Sequence, residues 1–344
     1  MAMNKRVVWV DYAKVLLIYL VTLAHIPVCK PIYDTICTFL IPAFFFLSGY
    51  FFSYEKYPRY LPFLRRRLKS LMVPYVSLAL LAYVFWLVIG RHVGDDAGSA
   101  TPWWSPLAAT VLGYGKEMVQ SVPLWFVMAL FVMENIFWFV GRCMRHGGFV
   151  LLAVLVAIGW INYRFVALPL PFELNPALTC MPFYLFGMMV RRMPRLMPPS
   201  WVTFVPGAAA VATAVITNDH VTVLTGRYGH YPLFILGAFG GIYATVALCR
   251  ALARWLGDLP AVRFVAKSTL VVCGLHLVAY TLLKGVLVYA LGIDIGVLPH
   301  SCLPALAFGL AGLLCCLPVY WVMDRYAPWM LGRWTAKGKA GDKA

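Results

Sequence analysis

Asp11, Lys14 and His25 fall inside one apolar run near the start of the chain, roughly residues 7–27. An ionisable side chain in hydrocarbon is costly, so each of the three is a functional candidate. Lys14 and His25 are 11 residues apart. On a helix that spacing turns through about 1,100°, only about 20° from three full turns, so both side chains share one face. The rise between them is about 16 Å, near half the hydrocarbon thickness of a bilayer. Asp11, three residues before Lys14, lies near the same stripe. Histidine titrates near neutral pH and serves as a general base or a nucleophile. A lysine on the same face can position a donor or stabilise developing negative charge. A plainer arrangement fits the spacing as well, with Asp11 and Lys14 paired at the interface and His25 packed on a backbone carbonyl.

A second candidate is the run Arg65-Arg66-Arg67-Leu68-Lys69, just ahead of Ser70-Leu71-Met72-Val73-Pro74-Tyr75. Four cations at the start of a membrane-entering helix suit the phosphates of a nucleotide-bearing donor. They suit stop-transfer charge and anionic lipid equally. Further along, His276 lies within an apolar run and is a candidate for a polar interior, or for a core histidine with one satisfied hydrogen bond. Glu134, in a span, and Glu173, in a loop, are each candidates to face a polar cavity. His220 and His230 share a loop with no carboxylate at useful spacing, so no metal site is expected.

The elements that must position these groups are helices in a membrane. Of 344 residues 62% are hydrophobic and only 12% charged, which excludes an ordinary soluble domain. Apolar runs of spanning length fall at roughly 7–27, 34–53, 70–90, 122–141, 149–164, 176–190, 200–217, 231–249, 268–291 and 302–323. The expected fold is therefore all-α, a polytopic bundle of about ten transmembrane helices. One domain is expected over 1–330, with a basic tail over 331–344. The runs at 149–164 and 176–190 are short and joined by a Pro-rich link. Asp11 and Lys14 interrupt the first run, so it is read as a retained helix and not a signal peptide. Alternate connecting segments hold 22 of the 29 Lys and Arg residues on one side and five on the other. The positive-inside rule then places both termini in the cytoplasm. The same rule accounts for the net charge of +16 without nucleic acid. The loop 91–121, with Asp95, Asp96 and the pair Trp103-Trp104, is expected outside, its aromatics anchoring at the interface. Nine cysteines fit no disulfide framework, and no Cys-x-x-Cys pair suggests metal or redox work. Cys302, with Cys37, Cys180, Cys249, Cys273, Cys315 and Cys316, is expected to pack in or beside apolar runs.

Five stretches, taken in order, resemble the acyltransferase-3 family of integral membrane acyltransferases. Val10-Asp11-Tyr12-Ala13-Lys14, with ten residues between Lys14 and His25, resembles its opening motif. Phe44-Phe45-Phe46-Leu47-Ser48-Gly49-Tyr50 resembles its second-helix signature. Arg66-x-x-Lys69 before Pro74-Tyr75, Pro123-Leu124-Trp125-Phe126, and Leu275-His276 resemble three further elements. Lys14 and Lys69 stand where many members carry Arg, which keeps the charge and loses the bidentate fork. The Lys form looks closer to the sugar O-acetylase branch. The resemblance implies a cytoplasmic acyl-CoA donor, acetyl-CoA above all, and a carbohydrate acceptor at or beyond a bacterial cell membrane, with no metal. It implies His25 and Lys14 as catalytic, Arg65, Arg66, Arg67 and Lys69 as the donor-phosphate site, and Trp125, His276 and Asp11 as substrate-binding. The alternative from another class is a transporter or exporter of a glycan or lipid-linked saccharide.

Overall fold

The computed structural model describes residues 6–93, 98–141, 147–166, 168–198, 201–293 and 301–334. Lys5, Asp95, Asp96, Arg142, Arg145, His146, His300 and residues 335–344 of the expected tail lie outside the described residues.

The described residues form a helical bundle. Its elements are α1 (Val8–Leu23), α2 (Lys30–Phe51), α3 (Tyr60–Gly90), α4 (Ser105–Leu112), α5 (Val122–Val140), α6 (Gly148–Phe165), α7 (Leu174–Arg192), α8 (Trp201–Thr217), α9 (Tyr231–Leu256), α10 (Pro260–Ala290) and α11 (Cys302–Tyr326). Seven of these, α2, α3, α5, α6, α9, α10 and α11, are long and apolar enough to cross a bilayer. The shorter α1 and α8 and the nearly fully buried α7 complete the ten expected runs. The protein is thus a multi-pass membrane bundle.

Several helices outrun the apolar segments that mark them. The basic cluster is not a loop before a span: Tyr60–Gly90 is one continuous helix with a π-helical turn at Leu68–Met72. Likewise α9 runs on to Leu256 and α10 begins at Pro260. Hydropathy locates only the part of a helix inside hydrocarbon, and charged turns project beyond it.

The core is built around two helices. Among them α7 is buried from Pro176 to Val190 at all but one position and packs against α2, α5 and α6. Close approach needs glycine there: a Cβ on Gly49 would sit 1.9 Å from Tyr184 O, and one on Gly187 2.1 Å from Phe46 O. Small residues that let backbones touch are how membrane helices gain packing energy without a hydrophobic drive between them. The other central helix is α1, which is flanked by α2, α9, α10 and α11. At the margin, α6 and α8 turn Val150, Trp160, Phe165, Trp201 and Ile216 outward, as lipid-facing helices do.

Two sequence expectations are corrected. Cys302 does not merely pack; it forms a disulfide with Cys29, joining the α1–α2 connection to the start of α11. The pairing is invisible in spacing because 273 residues separate the partners. His220 does meet a carboxylate, with Nδ1 2.7 Å from Asp34 Oδ1 on α2. Among the described residues no group of three ligating side chains forms a metal site.

The disulfide yields a first prediction. Blocking free thiols in denaturant, then reducing and relabelling, should expose two new cysteines that map to positions 29 and 302. Labelling of both before reduction would show that the bridge does not form.

Candidate active site

The site begins with the end of α1. Leu23 closes the helix, and Ala24 remains near helical dihedrals, so His25 stays on the helical path. His25 Nδ1 lies 2.8 Å from Val21 O. A carbonyl only accepts, so Nδ1 carries the proton, and the neutral ring presents its lone pair at Nε2. His276 on α10 repeats the arrangement, with Nδ1 2.7 Å from Val272 O. The two rings meet edge to face, centroids 4.9 Å apart. His276 is fully buried, and among the described residues its Nε2 has no hydrogen-bond partner. Tyr280 braces the pair: its ring lies edge-on to His276 and its hydroxyl donates to Thr22 O at 2.8 Å.

A cavity of about 320 Å³ runs along the polar face of α1. Lys14 and His25 both line it, as their spacing requires, together with Phe44 and Ser48 of α2 and Trp125 of α5. Its lining is mainly apolar, and Lys14, His25 and Ser48 are its principal polar groups. On the far side of His25 lies a second cavity of about 170 Å³, lined by Trp86, Gln120, Thr281 and Lys284. His25 belongs to both.

At the other end of α1 the cations sort into two sets. Arg66 and Lys69 line a cavity of about 410 Å³ with Lys267 and Arg333. Leu270 is common to this cavity and to the His25 channel. The chain after α11 helps to build it. Residues 328–331 pack on α3, and Lys69 Nζ sits 5.2 Å from the centre of the Trp334 ring. Arg65 is exposed and lines none of these cavities. Arg67 turns the opposite way and forms a buried ion pair with Glu134, Nε to Oε2 2.7 Å. Asp11 lies beside Lys14 in a separate recess and is held by Arg6, which also grips Asp258. Lys14 borders both that recess and the His25 channel.

The structure thus brings Lys14, His25, Trp125 and His276 together and sets Arg66 and Lys69 at an adjoining mouth. It leaves Arg65 apart, gives Arg67 to Glu134, and holds Asp11 against Arg6. Lys267, Arg333, Trp334 and Gln120 escaped the sequence reading. Each arrives from a distant segment, and a lone basic residue near a helix end gives no signal of its own.

The family model for the acyltransferase domain numbered 3 matches residues 7–325. That match covers nearly the whole chain and stops just short of Leu331, Gly332 and Arg333 at the basic cavity. The chain belongs to the acyltransferase-3 family. No curated protein and no solved structure matches the chain. For an acyltransferase, a channel ending on an unencumbered imidazole Nε2 is chemically apt. Acyl transfer to a hydroxyl needs a group to take the proton, and the same nitrogen can take an acyl group.

The Arg67–Glu134 pair gives a prediction that separates structure from chemistry in the basic run. Removing one member of a buried pair leaves the other charge uncompensated, at about 3–5 kcal/mol. Arg67→Ala should therefore lower the melting temperature of this acyltransferase in detergent, and Arg67→Met with Glu134→Met should recover most of the loss. Unchanged melting in Arg67→Ala, with loss of donor binding instead, would assign Arg67 to the donor site.

Proposed function

We propose that this acyltransferase moves an acyl group, acetyl above all, from acyl-CoA at its basic end to a hydroxyl of a carbohydrate at the opposite end. The observation that carries the reading is the place of His25, where a channel from the basic end and a cavity from the other end meet.

Orientation supports the division. Lys and Arg collect at the end that holds Arg66, Lys69, Lys267 and Arg333, which the positive-inside rule assigns to the cytoplasm. The Cys29–Cys302 disulfide sits at the opposite end, and disulfides persist on the oxidising side of a cell membrane. Both termini are then cytoplasmic. Acyl-CoA is a cytoplasmic metabolite, and its phosphates suit the four cations around the basic mouth. Its thin, flexible pantetheine arm suits a mainly apolar channel, and Lys14 stands where the arm would enter.

In this reading His25 Nε2 takes the proton of the acceptor hydroxyl as its oxygen attacks the thioester carbon. The C–S bond breaks, and the departing thiolate recovers the proton from Nε2. An acyl-histidine route would use the same nitrogen, first as nucleophile and then as leaving group. Val21 O holds the ring in the required tautomer in either case. His276 fills the space behind that ring and keeps it from rotating out of line. Trp125 walls the channel near its His25 end and offers a face for a sugar ring. Family membership favours this chemistry over the transporter alternative.

Two measurements test the assignment. Arg66→Ala and Lys69→Ala should each weaken acetyl-CoA binding by about tenfold, the scale of one charge-assisted contact, in calorimetry on detergent-solubilised protein. Raising ionic strength should shrink the difference from wild type, because exposed charges are screened. Equal donor affinity in wild type and both variants would assign these cations to lipid. His25→Gln keeps size and hydrogen bonding but cannot titrate. It should fold normally, bind acetyl-CoA, and lose transfer by about 10² or more. Substantial transfer by well-folded His25→Gln would end both the base and the acyl-histidine routes.

A further inference from the structure

The mechanism leaves unused a cavity larger than those around His25 and the basic mouth. It measures about 540 Å³ and lies among the connections into α5 and α7 and the segment before α9. Glu173, in the short turn Pro171–Glu173 ahead of α7, lines it and is only 6% exposed. Its Oε1 accepts the N–H of Gly115 at 2.5 Å, and among the described residues Oε2 takes no hydrogen bond. Burial pushes this carboxyl up to about 7, against the opposing pull of Gly115 N–H and Lys116. Both Phe172 and Glu173 adopt left-handed backbone, φ 59° and 54°, a conformation non-glycine residues rarely take. The chain bears that strain in order to turn Glu173 inward.

The rest of the lining is of one chemical kind. Asn162 and Asn175 present side-chain amides held by a local network. Asn162 Nδ2 donates to Asn175 O and to Thr179 Oγ1, each at 3.0 Å, and Asn175 Oδ1 accepts Leu170 N–H at 2.6 Å. Asn175 Nδ2 donates to Asn162 Oδ1 and to Leu168 O, each at 3.4 Å. Tyr163 and Tyr228 add rings, packed edge to face at 5.4 Å, and Tyr114 adds another. Planar polar groups on a fixed frame beside aromatic faces match vicinal hydroxyls and the C–H faces of sugar rings. One lysine makes a poor phosphate site, and the polar lining makes a poor lipid site.

The cavity is also wired to the reacting centre. Gly115, Lys116 and Glu117 line it, while Val119 and Gln120 line the outer cavity at His25, and Pro123 and Trp125 line the channel. One stretch of chain therefore borders all three spaces. Contact is tight, since a Cβ on Gly115 would fall 2.3 Å from Trp125 Cβ and 2.9 Å from Glu173 Oε1.

From this arrangement we infer that the Glu173 cavity is a second saccharide subsite, holding sugar units that flank the unit acylated at His25. The acceptor is then an oligosaccharide or polymer chain and not a free monosaccharide. The inference rests on the acyl-transfer reading for its purpose, but the subsite can be tested by binding alone.

The test uses the full chain in lipid nanodiscs on a glycan array. The probes are monomer, trimer and hexamer of β-1,4-N-acetylglucosamine, β-1,3-glucose, β-1,4-glucose and α-1,6-mannose. Radiolabelled acetyl-CoA is then added, so that binding and transfer are read on the same spots. In wild type, at least one series should bind about tenfold tighter as hexamer than as monomer. Glu173→Gln and, separately, Tyr114→Ala should lose that gain while keeping wild-type melting and acetyl-CoA affinity. His25→Gln should keep the gain. No length dependence in any series, or length dependence that survives in both cavity variants, overturns the subsite. Length-dependent binding that needs Glu173 but gives no acetyl transfer by wild type would sustain the subsite and sink the acyl-transfer reading. Transfer without length dependence would do the reverse.

Discussion

A bilayer offers no water to an ionisable side chain, and this constraint shapes the protein from α1 outward. Lys14 and His25 ride on a helix that hydropathy places in the membrane, so lipid cannot be their neighbour. The bundle meets the condition by wrapping α1 with α2, α9, α10 and α11 and leaving a channel along its polar face. A buried charge in another span, Glu134, is handled differently, by direct pairing with Arg67. The contrast is informative. Where a charge serves the fold, its partner is in contact. Lys14 instead borders open space, and the potential ligand of His25 Nε2 is whatever enters that space.

The walls of the cavities share a second feature. Helix α3 has π-helical turns at Leu68–Met72 and Trp86–Gly90, and α10 has another at Val286–Ala290. An extra residue in a turn widens the helix and frees backbone groups, a geometry that recurs at functional sites. Lys69 and Ser70 line the basic mouth from the first turn, and Trp86 and Gly90 line the outer cavity from the second. The same helix therefore supplies both entrances, one at each end of the His25 channel. That economy follows from a 31-residue helix, long enough to cross the membrane and project beyond it.

Much of this was legible before any contact was known, and the legible part has a common cause. Apolar run length and helical period are local properties, so the ten runs and the shared face of Lys14 and His25 could be read directly. Motif order added the family, because five short elements on one topology are specific even when each alone is weak. What stayed hidden depends on pairs far apart in the chain. Cys302 looked like an ordinary apolar-run cysteine, His220 appeared to lack a carboxylate, and Arg67 looked like one more phosphate ligand. In each case the deciding partner comes from another helix or loop. Glu173 was a sequence candidate to face a polar cavity, but the rest of that cavity's lining was illegible for a related reason. Its polar residues come from the ends of α6 and α7 and from two loops, with no period to betray them.

In the proposed acyl-CoA reading, the three spaces around the 115–125 stretch also bear on how the donor is kept from water. A thioester held beside a base in open water would be hydrolysed, so the reacting centre must admit a hydroxyl while excluding bulk solvent. The channel side of His25 is mainly apolar, and the cavity beyond it is the smallest of those bordering the site. A monosaccharide small enough to enter that space would bring little binding energy, and water would compete with it. A chain anchored at a separate polar cavity gains affinity from units that do not react, and that remote binding energy can fix one hydroxyl at Nε2 and displace water from it. Gly115, pressed between Trp125 and Glu173, puts the walls of the two places in direct packing contact.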